Sequence, residues 1–299
     1  MQKRTKKGKW DHIKAFGFFI PVLLVFTIFV FTPFFKTLYL SFFEWNLISP
    51  KKTFVGLSNY IALFQDPVTV KVLSNTFVYI LIMLVVNFIV PYIMSYMMAI
   101  MLKKGQNFYK GAIFLPYVIS LVVGSILYLW ILNPVSGPIG LIARTFGIRL
   151  PIWSKTDGLV LLILSLITSW KLFGYNFIVL FAAVNNIPKE IIEVAKLDGI
   201  SNWHIFKDIV TPMSSATGIY VLIITIVQGL QQGFTPIKVV TQGGPNYGSA
   251  SLTYQSYHEA FTLYHIGKSS ALSVLTMVLF MVLLALEFYF VERNVYYEN

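Results

Sequence analysis

Six long apolar stretches dominate the chain and restrict what it can fold into. A helix rises about 1.5 Å per residue, so roughly 20 mostly apolar residues span a hydrocarbon core about 30 Å thick. Charged residues make up only 12% of the 299 residues, about half the share that is usual in a soluble domain. The sequence therefore predicts an all-α membrane protein with six transmembrane helices. The predicted spans are Ala15–Leu40, Thr76–Leu102, Gly111–Leu132, Gly158–Val184, Gly218–Phe234 and Ser269–Val291.

The distribution of Lys and Arg indicates how this bundle is oriented. With the N-terminus inside, the inner segments hold 13 basic residues among 59 positions, and the outer segments hold 8 among 94. The inner segments are 1–14, 103–110, 185–213 and 292–299, and the outer ones are 41–75, 133–157 and 235–268. Because cytoplasmic loops are enriched in these residues, both termini are predicted to be cytoplasmic. One transmembrane domain over 15–291 then lies between a basic tail over 1–14 and a tail over 292–299.

Charge and composition exclude several functional classes. The excess of Lys and Arg that gives the net charge of +11 lies mostly in the predicted inner segments, so it indicates orientation in the membrane. No nucleic-acid partner is therefore predicted. Without cysteine there is no disulfide scaffold, Cys-ligated zinc or thiol nucleophile. The tripeptide over 267–269 resembles the end of a phosphate-binding loop, but Thr262 stands where that loop needs glycine, and a helix start is predicted instead. His258, Glu259 and His265 are predicted to be surface residues. No catalytic residue, metal site or cofactor bound by this chain is predicted.

The inner segment 185–213 carries helix signals on both sides of a glycine. Pro188 suits a first helical position, and Gly199 can adopt the left-handed conformation that ends a helix. Ser201 can cap a second helix, which Pro212 then ends. Two short helices that meet at Gly199 are therefore predicted. Such a segment is either a docking surface or an amphipathic loop that merely lies at the membrane interface.

The same segment resembles the signature cytoplasmic loop of ABC importer permeases. That pattern begins Glu-Ala-Ala, continues to a glycine and closes on Leu-Pro, and it matches Glu193–Ala195, Gly199 and Thr211–Pro212. Val194 and Thr211 depart from the pattern by mild changes. Further motifs resemble the carbohydrate branch of the family, and the resemblance covers about residues 15 to 295. These motifs are Phe54–Tyr60, Leu115–Pro116, Ser169–Lys171, Asn186–Pro188 and Thr241–Pro245.

The resemblance implies a role for the loop and a set of partners. In the family, the loop forms a coupling helix that docks into a cleft on a cytoplasmic ATPase subunit. Two ATPase subunits use ATP and Mg²⁺ to drive two homologous permease subunits, and an extracellular solute-binding protein completes the system. The chain is then a non-enzymatic transport subunit in the cell membrane. The residues implied to dock are Glu193, Ala195, Asp198, Gly199, Trp203 and Phe206, although Trp203 and Phe206 are equally expected to pack beneath the loop.

Polar residues inside the predicted spans mark a candidate solute path, because polar groups are costly in a membrane. Lys171 and Tyr175 stand four apart on the fourth span, and Gln228, Gln231 and Gln232 share a face of the fifth. Amide and phenol groups both donate and accept hydrogen bonds, as sugar hydroxyls require. The alternative is hydrogen bonding between helices or subunits. Lys171 in the path favours an anionic solute, whereas at an interface it simply extends its amine towards water.

The sequence therefore predicts the permease subunit of an ATP-driven importer that moves a sugar or oligosaccharide into the cell by alternating access. Import of glycerol-3-phosphate or another anionic sugar derivative is the alternative within this class, and Lys171 favours it. An ion-coupled secondary transporter is the remote alternative. Such proteins usually carry carboxylates inside the membrane, for which Glu287 is the one candidate in the sequence.

Overall fold

A computed structural model describes residues 9–102 and 104–291, and it is mostly helical. Residues 1–8 and 292–299, with most of the two predicted tails, lie outside the described residues. The α-helices are α1 (Lys9–Phe26), α2 (Thr32–Leu40), α3 (Ser58–Gln65), α4 (Pro67–Leu84), α5 (Val90–Tyr96), α6 (Gln106–Val118), α7 (Leu121–Ile131), α8 (Pro138–Thr145), α9 (Leu159–Asn185), α10 (Lys189–Leu197), α11 (Asn202–His204), α12 (Thr211–Met213), α13 (Ser215–Gln232), α14 (Phe234–Pro236), α15 (Leu252–Phe261) and α16 (Ile266–Val291).

Shorter elements complete the described chain. Strands β1 (Phe43–Glu44) and β2 (Thr53–Phe54) form an antiparallel hairpin in which Phe43 faces Phe54. A 3₁₀ turn covers Trp153–Lys155. The π-helical segments are Thr27–Phe31, Val85–Ile89, Met97–Met101, Ile205–Val210 and Ile237–Thr241.

Within the described residues, five unbroken helical stretches are long and apolar enough to cross a membrane. They are Phe19–Leu40, Pro67–Met101, Leu159–Asn185, Ser215–Thr241 and Ile266–Tyr289. The predicted fourth span agrees with α9 to within one residue at each end. The second begins at Pro67 rather than Thr76, because the Asp66 side chain accepts the Val68 N–H at 2.9 Å and caps α4 there. The fifth continues in helical form to Thr241 instead of ending at Phe234.

The predicted third span, Gly111–Leu132, is not a straight helix. It consists of α6 and α7, which are bent by 99° relative to each other. Ile119 and Ser120 between them are extended, with ψ of 137° and 134°. Hydropathy measures length and apolarity but not direction, so a sharp bend inside an apolar stretch leaves no trace in it. The count of six spans holds only if this bent pair is one of them.

The loops gather at the two ends of the bundle as the charge pattern predicts. The three predicted outer segments meet at one end, where Lys71 pairs with Asp157 at 2.8 Å and Lys268 pairs with Asp66 at 3.2 Å. At the other end, the Tyr96 hydroxyl donates to the Asn202 side chain at 3.4 Å. Which of these ends faces the cytoplasm stays a prediction.

A polar network inside the bundle ties α9 to its neighbours. Asn176 Nδ2 donates to the Asn87 carbonyl at 2.6 Å and to Thr225 Oγ1 at 2.9 Å. Asn87 Nδ2 in turn donates to Ser169 Oγ at 2.8 Å. All four side chains are buried. Because buried polar groups are stable only when they are paired, these bonds fix α9 against the second and fifth spans, and α9 then positions the candidate sites described below.

Candidate functional site

The loop over 185–213 folds into the two short helices that the sequence predicts. Gly199 has φ of +75°, and α10 ends there with a pair of hydrogen bonds: Ile200 N to the Ala195 carbonyl at 3.0 Å and Gly199 N to the Lys196 carbonyl at 3.1 Å. This is the Schellman arrangement, which favours glycine at the left-handed position. Ser201 then caps α11 by accepting the His204 N–H at 3.4 Å.

The second helical stretch ends at Met213, one residue beyond the predicted end at Pro212. The backbone stays helical through the π-helical segment Ile205–Val210 and through α12, and it turns only at Ser214. Pro212 lies in the first turn of α12, where a missing N–H costs little. The loop therefore leads almost directly into α13.

One face of α10 is buried against the bundle. Ile192 and Ala195 are only 6% and 4% exposed, and they belong to a cluster that includes Val184 and Ile205. Burial of apolar side chains on one side of a short helix fixes the orientation of the other side. Ala195, which the resemblance places among the docking residues, thus lies on the inner side of the loop.

The outward face of the loop combines acidic and apolar groups. Glu193, Asp198 and Gly199 are exposed, as docking residues must be. Leu197 is 85% exposed and Trp203 is 61% exposed. The sequence analysis missed Leu197, although it stands four residues after Glu193 and so shares its face of α10.

The two aromatic residues of the loop separate into different environments. Phe206 is half-buried and packs against Tyr92 and Tyr96, with ring centroids 5.6 Å and 5.4 Å away. Trp203 lies over Phe206 at 5.8 Å and leaves most of its surface open. The sequence left open whether these two residues dock on a partner or pack beneath the loop. Phe206 packs beneath the loop, and Trp203 remains available to a partner.

Among the residues predicted for the solute path, Lys171 lies at the break of the third span. Its Nζ donates to the carbonyls of Tyr117 at 2.8 Å and Ile119 at 2.6 Å. Tyr175 stacks on Tyr117 with ring centroids 5.3 Å apart, and its hydroxyl lies 3.0 Å from that of Tyr220. The structure thus adds Tyr117 and Tyr220 to the predicted pair. Neither sequence neighbourhood indicated that these two side chains meet α9.

The three predicted glutamines lie in different environments. Gln231 is exposed and lines a mostly apolar cavity of about 440 Å³ together with Phe34 and Met281. Gln232 is half-buried. Gln228 Oε1 is buried without a hydrogen-bond partner among the described residues. Lys171 instead donates to the backbone carbonyls of Tyr117 and Ile119, and the Tyr175 hydroxyl pairs with that of Tyr220. Neither side chain therefore bonds to these amides.

Glu259 is not the surface residue that the sequence predicts. Its side chain is 2% exposed, and it pairs with Lys268 at 2.9 Å and with His265 at 2.9 Å. Burial alone would raise the pKa of Glu259, but hydrogen bonds from Lys268, His265 and Gln255 outweigh it and hold the pKa below its usual value. Lys268 is thus engaged in ion pairs at the start of α16. The helix start predicted over 267–269 is confirmed.

Within the part of the chain that the structure describes, no group of three or more His, Cys, Asp or Glu side chains is placed to hold a metal ion. The described geometry instead offers an exposed two-helix loop at one end and an aromatic group beside a broken helix. A bundle of long apolar helices with such a loop is a multi-pass membrane protein.

The chain belongs to the family of binding-protein-dependent transport system inner membrane components, whose family model matches residues 92–295. It is 31% identical to the sn-glycerol-3-phosphate transport system permease protein UgpA of Brucella abortus, over 99% of this chain and all of that protein. It is 30% identical to the probable ABC transporter permease protein YurN of Bacillus subtilis, over 95% of this chain and 98% of that protein.

A solved structure shares the fold. A chain of a bacterial ABC transporter involved in the import of the acidic polysaccharide alginate aligns with a TM-score of 0.81 at 21% identity, covering 95% of this chain and 98% of that one. A chain of a bacterial alginate ABC transporter in complex with an alginate pentasaccharide-bound periplasmic protein aligns with a TM-score of 0.82 at 20% identity, covering 95% of this chain and 97% of that one. Both alignments cover 95% of this chain.

Proposed function

We propose that the chain is the transmembrane permease subunit of an ATP-driven importer that moves a sugar or a sugar derivative into the cell by alternating access. The exposed α10–α11 loop carries this proposal, because it is a capped two-helix surface whose outer face leaves Leu197 and Trp203 open to a partner. Permease relatives that match over the full length support the same class. The chain is then a transport subunit, and ATP hydrolysis takes place elsewhere.

The loop delivers the energy of ATP through contact with a cytoplasmic ATPase subunit. Leu197 and Trp203 supply exposed apolar surface, and tryptophan is enriched among the anchors of protein interfaces. Glu193 and Asp198 supply negative charge that selects a basic partner surface. The buried face around Ile192 and Ala195 transmits the displacement to the bundle, because those side chains belong to one buried cluster with Val184 of α9 and Val221 of α13. ATP and Mg²⁺ are bound by the ATPase subunits.

Two further partners complete the assembly. A second homologous permease subunit is expected to cover apolar surface in the membrane, since the first span, Phe19–Leu40, is long and none of its most apolar window is buried within this chain. An extracellular solute-binding protein is expected at the end where the predicted outer segments meet. The family to which the chain belongs, and the complex with a periplasmic protein in the related fold, support that partner.

The solute passes beside the aromatic group on α6, α9 and α13. Ring faces stack on the apolar faces of sugars, and phenol hydroxyls exchange hydrogen bonds with sugar hydroxyls. Tyr220 is 45% exposed, so this group is accessible from one side of the bundle. Tyr175 is the predicted path residue that belongs to this group.

An anionic sugar derivative is the second candidate solute. Relatives matched over nearly all of this chain are sn-glycerol-3-phosphate permeases, and the related fold imports an acidic polysaccharide. The experiment is uptake in proteoliposomes that contain this chain with its partner permease, its ATPase and its binding protein. A panel of neutral sugars, sugar phosphates and glycerol-3-phosphate is offered with and without ATP inside. Uptake that requires ATP supports the proposal, and uptake driven by an ion gradient without ATP contradicts it.

A further inference from the structure

The break between α6 and α7 leaves backbone carbonyls without helical partners. The last four carbonyls of any helix lack an intrahelical donor, and in a membrane water does not replace that donor. Here the helix stops inside an apolar span and the chain turns by 99°. The Ile119 N–H donates to the Pro116 carbonyl at 3.1 Å and so satisfies that one carbonyl. The carbonyls of Tyr117 and Ile119 are left to a donor from another element.

Lys171 supplies that donor from α9. Its ammonium donates to both carbonyls, at 2.8 Å and 2.6 Å, and lies 5.3 Å from the centre of the Tyr117 ring. An ammonium has three N–H donors, so two are committed to the backbone of the break. The C-terminal end of α6 is also the negative end of its dipole, which a cation stabilises.

Residues on either side of Lys171 hold the two limbs of the broken span. Trp170 packs edge-to-face on Tyr128 of α7, with ring centroids 5.1 Å apart. Gly174 lies so close to the backbone of α6 that a Cβ there would clash with the Ile113 carbonyl oxygen. One turn of α9 therefore contacts α7, the break and α6 in succession.

The position of the break determines the position of Tyr117. The Tyr117 carbonyl is bound by Lys171, and its ring stacks on Tyr175 at an interplanar angle of 22°. Tyr175 reaches Tyr220 on α13 through its hydroxyl. A change in the bend thus moves one wall of the aromatic group on which the proposed solute path depends.

We propose that Lys171 is a positioning residue, which holds the break in the third span and thereby sets Tyr117 against Tyr175, rather than a reader of negative charge on the solute. Withdrawing the ammonium to bind an anion would leave the two part-buried carbonyls of Tyr117 and Ile119 unpaired, at the cost of a lost hydrogen bond for each. The geometric part of this inference does not depend on the transport function, whereas its kinetic part rests on it.

The chain has no native cysteine, so spin labels attach only where cysteines are introduced. Labels at Phe108→Cys and Trp130→Cys, both at exposed positions on the two limbs, report the bend by pulsed electron resonance in the assembled transporter in lipid nanodiscs. Lys171→Met retains the apolar stem and removes all donors. Lys171→Arg restores donors to both carbonyls. Lys110→Met is the matched control, because Lys110 lies 5.0 Å over the Phe181 ring and has no part in the break.

Lys171→Met is expected to broaden the distance distribution, whereas Lys171→Arg and Lys110→Met keep it narrow. For transport, Lys171→Met is expected to raise KM and lower kcat/KM on the order of a hundredfold for neutral and anionic solutes alike, with rescue by arginine. An unchanged distribution in Lys171→Met overturns the inference. Loss confined to anionic solutes overturns it too. If Lys171→Met does not assemble, Lys171→Leu, which also has no donor, takes its place: the inference requires a broadened distribution and weaker uptake of neutral solutes, and normal neutral uptake contradicts it.

Discussion

The hydroxyl groups of Tyr175 and Tyr220 lie 3.0 Å apart and join α9 to α13. Tyr175 also stacks on Tyr117 of α6, so side chains from three predicted spans meet in one aromatic group. Its ring faces are apolar and its hydroxyls both donate and accept. This combination suits a polyhydroxylated ring better than it suits an ion.

The aromatic group gives the first prediction. Tyr175→Ala removes the stack on Tyr117 and the hydroxyl contact, and it should raise KM for uptake about tenfold, since an aromatic pair contributes on the order of 1 kcal/mol. Tyr175→Phe keeps the stack and should have a smaller effect. Initial uptake rates in proteoliposomes measure both. Tyr109→Ala, at an exposed position of α6 outside the group, is the control. Normal kinetics in Tyr175→Ala would remove the group from the solute path.

A second prediction concerns the charge on α10. Glu193→Lys should keep ATP hydrolysis but lower ATP-driven uptake at least about tenfold, because repulsion at an interface costs several kcal/mol. Hydrolysis and uptake are measured in the same preparation, and size-exclusion chromatography checks assembly. Glu190→Lys reverses an exposed charge on the same helix and serves as the control. Unchanged uptake in Glu193→Lys would argue against its docking role.

The different environments of Trp203 and Phe206 give a third prediction. Phe206→Ala removes a ring packed on Tyr92 and Tyr96 and should lower the free energy of unfolding by about 2 kcal/mol. Trp203→Ala should leave stability nearly unchanged and weaken coupling between hydrolysis and uptake. Thermal unfolding and the ratio of solute moved to ATP consumed measure the two effects. The same loss of stability in both variants would contradict the assignment.

The buried carboxylate at the other end of the bundle gives a fourth prediction. The pKa of Glu259 is held below its usual value because Lys268 and His265 donate to it. A lowered folded-state pKa stabilises the fold above the unfolded pKa of about 4.3, and that stabilisation is lost as pH falls through the lower folded value. The thermal midpoint of the wild type should therefore decrease as the pH is lowered below about 4.3.

Glu259→Gln tests that origin. It should destabilise the chain at neutral pH by about 2 kcal/mol, because it leaves Lys268 without one of its two carboxylates. It should also flatten the dependence of the thermal midpoint on pH below about 5. Glu44→Gln, at an exposed carboxylate of the β1 strand, is the control. If the thermal midpoint of Glu259→Gln depends on pH as steeply as that of the wild type, other groups cause the acid sensitivity.

Periodicity and capping chemistry predict much of this molecule. α9 emerges from its apolar length alone, and the turn at Gly199 from the need for a left-handed residue. The break in the third span cannot be predicted in this way, because hydropathy reports how apolar a segment is and not the direction in which its helix runs. The partner of Lys171 lies 54 residues away in the chain, so only the folded packing reveals it. Phe206 and Trp203 are equally apolar in sequence, and their separation depends on which one meets Tyr92 and Tyr96.

Site-specific photocrosslinking from Leu197 tests the central claim most directly. The photoreactive amino acid replaces Leu197, the most exposed apolar side chain of the loop, in the full transporter in native membranes. The same replacement at Leu162, an exposed position near the start of α9, is the control. The account predicts a crosslink from position 197 to the ATPase subunit, with a yield that changes when ATP is added, and none to that subunit from position 162. A position 197 that reacts only with lipid or with this chain itself would contradict it.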